Sequence, residues 1–394
     1  MEQEIYFDNA ATTSLYPETV ERMRHFLAQE FWNPSAMYRP AIQAEKELEE
    51  ARETVAAGLK VPAKNLTFTS GGTEGSNTVI RGVCESQRLD DYNIITTQIE
   101  HPAVLEVFRY YEEKGIRTTY LPVDEYGRAD LEALEAALDE KTALVSIMAV
   151  NNELGSVNDL VSAGRIIREK SPKAVFHSDF VQAYLKTEDP RLDIEAAGLD
   201  AVNICAHKIH GPKGIGALYI REGVRIPPLL LGGGQERGMR SGTENLPLAA
   251  GFASAAAARK DRLPELERHA QELKNRLLAA LSDVGDLRIG SAEDASPYVI
   301  SLGFRGVRGE VLLHMLEDQG IYISTGSACS THHKGGHVLK AAGLDREAAE
   351  GTVRISTSEY NTPEEIDVLA KALTDSAGQL RRITRFGGKN RSRR

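Results

Sequence analysis

From about residue 60 to residue 225 the chain alternates short apolar runs, rich in β-branched residues, with stretches of helical period. The runs fall at residues 65–69, 92–97, 118–123, 143–150, 174–177, 201–206 and 215–220, with helical patterns at 130–138 and 160–170 among them. Repetition of strand, helix and strand predicts βαβ units and therefore a mostly parallel mixed sheet covered by helices on both faces. The texture changes near residue 262. Residues 262–281 read as a charged amphipathic helix with Leu263, Leu266, Leu273 and Leu277 near helical spacing. Shorter strands at 297–303, 320–324 and 353–356 follow, with helices at 310–319 and 362–380; Thr362-Pro363-Glu364 is a helix-start signal. At 394 residues the chain exceeds one small core. We read an α/β protein with a large domain at 16–260, a smaller α+β domain made of 1–15 and 261–380, and a basic tail at 381–394.

Hydrophobic residues at 41% and charged residues at 26% suit a globular chain, and no apolar run approaches the roughly 20 residues that span a bilayer. The N-terminus lacks the basic-then-apolar layout of a signal peptide. Three cysteines, Cys84, Cys205 and Cys329, form no disulfide framework and suit a reducing compartment, so the expected location is cytoplasmic. Cys84 lies in an apolar-periodic stretch and reads as a buried helix residue. The net charge of −10 is uneven: residues 381–394 carry seven Arg and Lys and no acid, leaving 40 basic against 57 acidic side chains elsewhere. That sign argues against a nucleic-acid-binding body. The tail reads as a solvated frayed terminus, with an acidic partner or RNA as the sharper alternative.

Ligands of open α/β sheets bind beyond the C-terminal ends of the strands. Five polar clusters sit there: Ser70-Gly71-Gly72-Thr73-Glu74, Glu100-His101-Pro102, Asn151-Asn152-Glu153, His177-Ser178-Asp179 and His207-Lys208. Gly71-Gly72-Thr73 turning into a helix offers free backbone N–H groups and a hydroxyl, a cradle for phosphate. Neither the nucleotide P-loop pattern nor a dinucleotide fingerprint is present. A lysine fixed at such an edge can form a Schiff base with an aldehyde. A phosphate cradle, an acid and a lysine together suggest pyridoxal phosphate, with Asp179 on the ring nitrogen and Lys208 on the aldehyde.

At this point the residues resemble a known family, the cysteine desulfurases of nitrogenase and housekeeping iron–sulfur assembly, within the class-V aminotransferases. The resemblance runs through Tyr6-Phe7-Asp8-Asn9-Ala10-Ala11-Thr12-Thr13, Asn33-Pro34-Ser35, residues 69–77, Glu100-His101, Val150-Asn151-Asn152-Glu153 and residues 177–182. It continues through residues 206–214, Gly232-Gly233-Gly234-Gln235-Glu236-Arg237, Arg240-Ser241-Gly242-Thr243-Glu244-Asn245, Gly326-Ser327-Ala328-Cys329 and Val353-Arg354-Ile355-Ser356. It implies the pyridoxal-phosphate-dependent transferase fold, type I. It also implies a homodimer and conversion of L-cysteine to L-alanine, with the sulfur held as a persulfide. The sulfur would pass to an acceptor protein such as an iron–sulfur scaffold or a tRNA-thiolating enzyme.

The resemblance also implies roles. Lys208 holds the cofactor and moves the substrate's α-proton, and His101 lies over the ring and takes part in proton transfer. Asp179 pairs with the ring nitrogen and Gln182 with the ring hydroxyl, with Asn152 nearby. Gly72, Thr73 and His207 contact the phosphate, and Thr243 reaches it in the neighbouring subunit. Arg354 grips the substrate carboxylate, as a planar guanidinium does bidentately. Asn33 and Asn152 complete the substrate side. Cys329 takes the sulfur; its small, polar, Gly-rich surroundings at 324–336 predict a mobile exposed loop, and Lys334 and nearby imidazoles would raise the thiolate fraction.

Three departures from the family pattern stand out. Cys205 occupies a position where the family has a hydroxyl beside the phosphate, and a thiol donates poorly. Ala36-Met37-Tyr38 replaces the usual residues after Asn33-Pro34-Ser35. His332, His333 and His337 follow Cys329 at a spacing that would suit a metal, although no metal ligand is assigned. Alternatives for the function are selenocysteine lyase or another β-eliminating relative, and, in a different class, a non-catalytic sulfur-transfer scaffold subunit.

Overall fold

The computed structural model describes residues 4–86, 92–325 and 336–391, with side chains through Ile383. Twelve strands are present among them. A two-residue β1 (Ile5–Tyr6) precedes β2 (Leu66–Thr69), β3 (Asn93–Thr97), β4 (Arg117–Leu121), β5 (Thr142–Ser146), β6 (Val175–Asp179), β7 (Ala201–Cys205) and β8 (Gly216–Ile220). Then come β9 (Leu287–Ile289), β10 (Val299–Phe304), β11 (Ile321–Tyr322) and β12 (Thr352–Ser356).

The large sheet has the order β2-β8-β7-β6-β5-β3-β4. The pairs β3–β4, β3–β5, β5–β6 and β6–β7 are parallel, whereas β8 runs antiparallel to both β2 and β7. The C-terminal ends of β2, β3, β5, β6 and β7 therefore emerge on one edge. β3 and β7 are buried along their whole length and β6 in all but its first residue, which is why they read as apolar runs without alternation. The edge strand β4 is polar and partly exposed, as an unpaired edge must be. The run expected at 143–150 ends as a strand at Ser146. The chain beyond it stays tied to β6 by hydrogen bonds from the Ile147 and Ala149 amides to the His177 and Asp179 carbonyls.

Helix Leu246–Lys260 packs against helices Pro17–Ala28 and Arg39–Gly58 and is buried almost all round, with Ala249, Phe252, Ala255 and Ala256 in the main core. A helix buried on every side has no amphipathic period, so this element carries no sequence signature of its own. A second core joins the antiparallel sheet β12-β10-β9 to helices Leu263–Ala280, Gly309–Glu317 and Pro363–Arg391. Ile5 and Phe7 sit in this second core, and β1 pairs in parallel with β11. The last helix extends well past the expected end at residue 380 and takes the basic stretch in as far as Arg391. One reason is that Arg381 anchors it, donating to the carbonyls of Gly285, Asp286 and Arg305.

The two cores meet at a buried ion pair. Arg259, 2% exposed, donates to both carboxylate oxygens of Glu359 at 2.9 and 2.8 Å and to the Leu185 carbonyl at 3.0 Å. His210 Nε2 and the Tyr16 hydroxyl reach the same carboxylate. Removing one partner of such a pair strands the other charge in a dry interior, at a cost of about 3–5 kcal/mol. Arg259→Ala is expected to destabilise the chain by that amount in urea denaturation, and a loss under about 1 kcal/mol would show that the pair is not a joint of the fold.

Candidate active site

The polar residues of the strand ends gather around one cavity of about 390 Å³. Its floor is the end of β6 and β7. Asp179 closes β6, and its Oδ1 accepts from the Val181 amide at 2.9 Å. Cys205 closes β7, and a single 3₁₀ turn, Ala206–Lys208, lifts His207 and Lys208 over the edge. Helix Gly72–Glu85 begins at the same edge, bringing Gly72 and Thr73 to the cavity. Glycine is required where this helix presses on the sheet. A Cβ on Gly72 would sit 2.7 Å from Val181 Cγ2, and one on Gly75 would sit 2.6 Å from Asn203 Cβ. The close seat leaves the helix's first N–H groups aimed at the cavity edge.

His101 caps helix Pro102–Glu113: its Nδ1 accepts from the Ala103 amide at 3.1 Å. With Nδ1 an acceptor, the neutral ring carries its proton on Nε2. Although His101 stays accessible through the cavity, burial of its surroundings pushes its pKa down, Asp179 opposes that shift and Lys208 adds to it. His207 is pushed down to about 4, by burial first and then by Lys208 and Lys213, so it is neutral at physiological pH. Its Nδ1 lies 3.2 Å from Thr12 Oγ1.

Lys208 Nζ donates to the carbonyls of Ala10 and Ala11 at 2.7 and 2.6 Å. Burial pushes its pKa down, and Arg354 adds to that. A lower pKa enlarges the free-amine fraction, the form that attacks a carbonyl. Gln182 Nε2 donates to the same Ala10 carbonyl at 2.9 Å. Arg354, on β12 of the other core, crosses to the cavity. Its Nη2 meets Asp8 Oδ1 at 2.6 Å and its Nη1 meets the Asn152 carbonyl at 2.9 Å, while its buried Nε has no partner.

Lys208, His101, Gly72, Thr73, Asn152, Asp179, Gln182, Cys205, His207 and Arg354 thus share one cavity. Asn33 and Thr243 do not line it in a single chain. Both are exposed, and their segments meet each other through Ser35 Oγ and the Glu244 carboxylate. Cys329, most of the 324–336 loop, His332 and His333 lie outside the described residues. His337 is described, and its Nε2 is 3.1 Å from the Glu100 carbonyl. The Cys205 thiol is pushed up to about 12 by burial, so it is held protonated and unreactive. Ala10 and Ala11 contribute only backbone carbonyls, which no side-chain pattern announces.

The residues from 5 to 369 match the aminotransferase class-V family. The chain is 37% identical over 389 residues to the cysteine desulfurase IscS of Clostridium botulinum, covering 98% of this chain and 97% of that one. It belongs to the class-V aminotransferases, in their cysteine desulfurase group. Members of this family depend on pyridoxal phosphate. Among solved structures, a NifS-like protein superposes with a TM-score of 0.89 at 40% identity, covering 95% of this chain and 99% of its own. A structure described as SspA in complex with cysteine matches with a TM-score of 0.79 at 30% identity, covering 91% of this chain and 100% of its own.

The cavity suits that cofactor. A carboxylate at its floor, a lysine of depressed pKa, a helix N-terminus with a neutral imidazole beside it, and a guanidinium with one unused buried N–H match its ring nitrogen, aldehyde, phosphate and amino-acid substrate in turn.

Behind His101 lies Glu100, fully buried, its Oε1 accepting from the Met148 amide at 2.7 Å and Thr97 Oγ1 at 2.9 Å. Burial pushes its pKa up to about 8. An unfolded Glu titrates near about 4.3, so the folded chain holds a proton that the unfolded chain releases, and stability falls as pH rises between these values. Glu100→Gln keeps the acceptor and cannot ionise. Its melting temperature relative to the parent is expected to climb by a few degrees between pH 5 and pH 8 in a calorimetric series; parallel curves would refute the assignment.

Proposed function

We propose that the protein is a cysteine desulfurase that takes sulfur from L-cysteine onto Cys329 and passes it to an acceptor protein. The observation that carries this reading is the single cavity in which Lys208, Asp179, Gln182 and His101 of one core face Arg354 of the other. Lys208 would hold pyridoxal phosphate covalently, Thr73, His207 and the amides of the helix start would hold its phosphate, and Asp179 and Gln182 would meet its ring nitrogen and ring oxygen. Bound there, the cofactor supplies an electron sink for the substrate's α-carbon.

Arg354 would orient the substrate: it lines the cavity with its two Nη groups engaged by Asp8 and the Asn152 carbonyl, and its charge would draw the substrate carboxylate. Lys208, its amine pKa lowered by burial, would take and return the α-proton. His101, which lines the same cavity with its Nδ1 occupied by the Ala103 amide, would move a further proton through Nε2. The thiolate of Cys329 attacks the substrate Sγ. A sulfur–sulfur bond forms, the Cβ–Sγ bond breaks with its electron pair returning to carbon, a proton adds there, and L-alanine leaves. Cys329 then carries the persulfide, whose outer sulfur an acceptor thiol removes by a further displacement.

A homodimer fits the same reading. Leu27, Phe31, Met37, Tyr38 and Leu231 are exposed apolar side chains, Met37 at 94% and Leu231 at 84%. They lie in the same segments as Asn33 and Thr243, the two predicted site residues that a single chain leaves outside the cavity. Pairing of two copies would cover this surface and bring Thr243 to the neighbour's phosphate. None of the helices among the described residues is long and apolar enough to cross a membrane.

Cys329→Ser is expected to keep the visible absorbance of the bound cofactor while losing sulfide release at least about 100-fold, and Lys208→Ala to lose the covalent absorbance band itself. Full turnover by the Cys329→Ser enzyme, assayed as alanine formed per subunit, would overturn the assignment. Sedimentation equilibrium is expected to give twice the chain mass, and Leu231→Asp to shift the protein toward monomer. A monomeric parent with full activity would exclude the shared phosphate site.

A further inference from the structure

Four residues beyond Gln182 the chain buries a lysine. Lys186 is 5% exposed, and its Nζ donates to Gln182 Oε1 at 2.8 Å. Among the described residues it has no carboxylate within ion-pair distance. Its ammonium faces the Tyr298 ring at 5.9 Å from the centroid, the same ring that Arg259 approaches. The other charged or titratable groups that act on it are Arg259 from helix Leu246–Lys260, Cys205 at the end of β7, Lys208 from the turn after it, and Glu359 from the segment after β12. Burial first, then Arg259 and Lys208, push its pKa down to about 7. A solvent-facing lysine would escape this cost, so the position calls for a reason.

The reason lies in the geometry of Gln182. A carboxamide has one accepting end and one donating end, and an ammonium can only donate. Lys186 therefore takes the carbonyl end of Gln182, which leaves the NH₂ end to the cavity side. There one N–H meets the Ala10 carbonyl at 2.9 Å, and the second is left for a ligand in the cavity. We propose that Lys186 is a positioning residue of the cofactor site: its buried ammonium fixes the carboxamide of Gln182 with its N–H pair toward the cavity, so that the site presents a donor to an anionic ring oxygen. The proposal rests on the reading of the cavity as a pyridoxal phosphate site. It adds a residue that touches neither cofactor nor substrate and acts through the amide between them.

Two effects of Lys186 point the same way. The enforced amide donates to the ionised ring oxygen, and the ammonium adds a positive charge one side chain away; both favour the ionised form. In the full-length, cofactor-loaded enzyme, Lys186→Met removes both with little change in shape. The pH midpoint of the bound cofactor's visible band is expected to rise by about one unit, and cofactor affinity to fall about tenfold. Gln182→Leu should move the midpoint the same way, and the double variant should move it no further than the larger single shift, since Lys186→Met already removes both the charge and the hold on the amide. Lys186→Arg, which keeps a buried donor cation, should hold the midpoint near the parent's.

A Lys186→Met enzyme that melts lower but keeps the parent midpoint would overturn the proposal, because a merely structural lysine does just that. So would additive shifts in the double variant. If Lys186→Met fails to fold, Lys186→Gln, which retains one N–H toward Gln182, should give a smaller rise, and an unchanged midpoint there overturns the proposal equally. Absence of a visible band from the parent and from Gln182→Leu alike would overturn the cofactor reading itself and this inference with it.

Discussion

The site depends on a short segment that carries almost no chemistry of its own. Residues 8–16 run across the sheet edge and tie three elements together through the backbone. The Ala10 carbonyl accepts from both Lys208 and Gln182, and the Thr13 and Tyr16 amides donate to the carbonyls of His207 and His210. Asn9 Nδ2 donates to the Ser356 carbonyl, and Asp8 pairs with Arg354. Backbone carbonyls are rigid acceptors whose positions are set by the chain, not by a rotamer. By tying the chain just beyond β6 and β7 and the strand β12 to one short segment, these contacts set the spacing between Lys208 and Arg354 across the cavity.

Electrostatics around the cavity follow from burying more cations than a dry site readily holds. Lys208, Lys186 and His207 all have their pKa values lowered, chiefly by burial and also by one another. Such a site favours anionic ligands, and a phosphate, an ionised ring oxygen and a carboxylate would each relieve it. Glu100 and Cys205 show the opposite face of the same rule, since burial keeps their protons on. Burial thus lowers the bases and raises the acids on and around the same strand ends.

The joint between the cores works on a different principle. Arg259 and Glu359 are held by mutual charge and by the hydrogen bonds of Tyr16, His210 and Leu185. His210 stands two residues beyond Lys208 with φ of 64°, and its Nδ1 lies 2.8 Å from the Ser14 carbonyl. The turn that carries Lys208 is thereby fastened to the joint between the cores.

The strand ends were legible because a buried parallel strand must be apolar and its loop must not be. The step from Val175-Phe176 to Asp179, or from Ile204 to His207-Lys208, therefore marks the ligand edge in the sequence itself. The ordered motifs carried the family. Helix Leu246–Lys260 was illegible because burial on every side erases its period. The roles of Ala10 and Ala11 were illegible because a carbonyl belongs to every residue. Nothing in the local pattern sets Lys186 apart from a surface lysine, since only packing decides that its side chain ends against an amide and not in water. The sequence by itself determined which residue types stand at each strand end, for those follow from local pattern. Only the tertiary structure decided that Arg354 reaches the cavity from a second core and that Asn33 stays outside it within one chain, because separations across two cores are set by long-range packing.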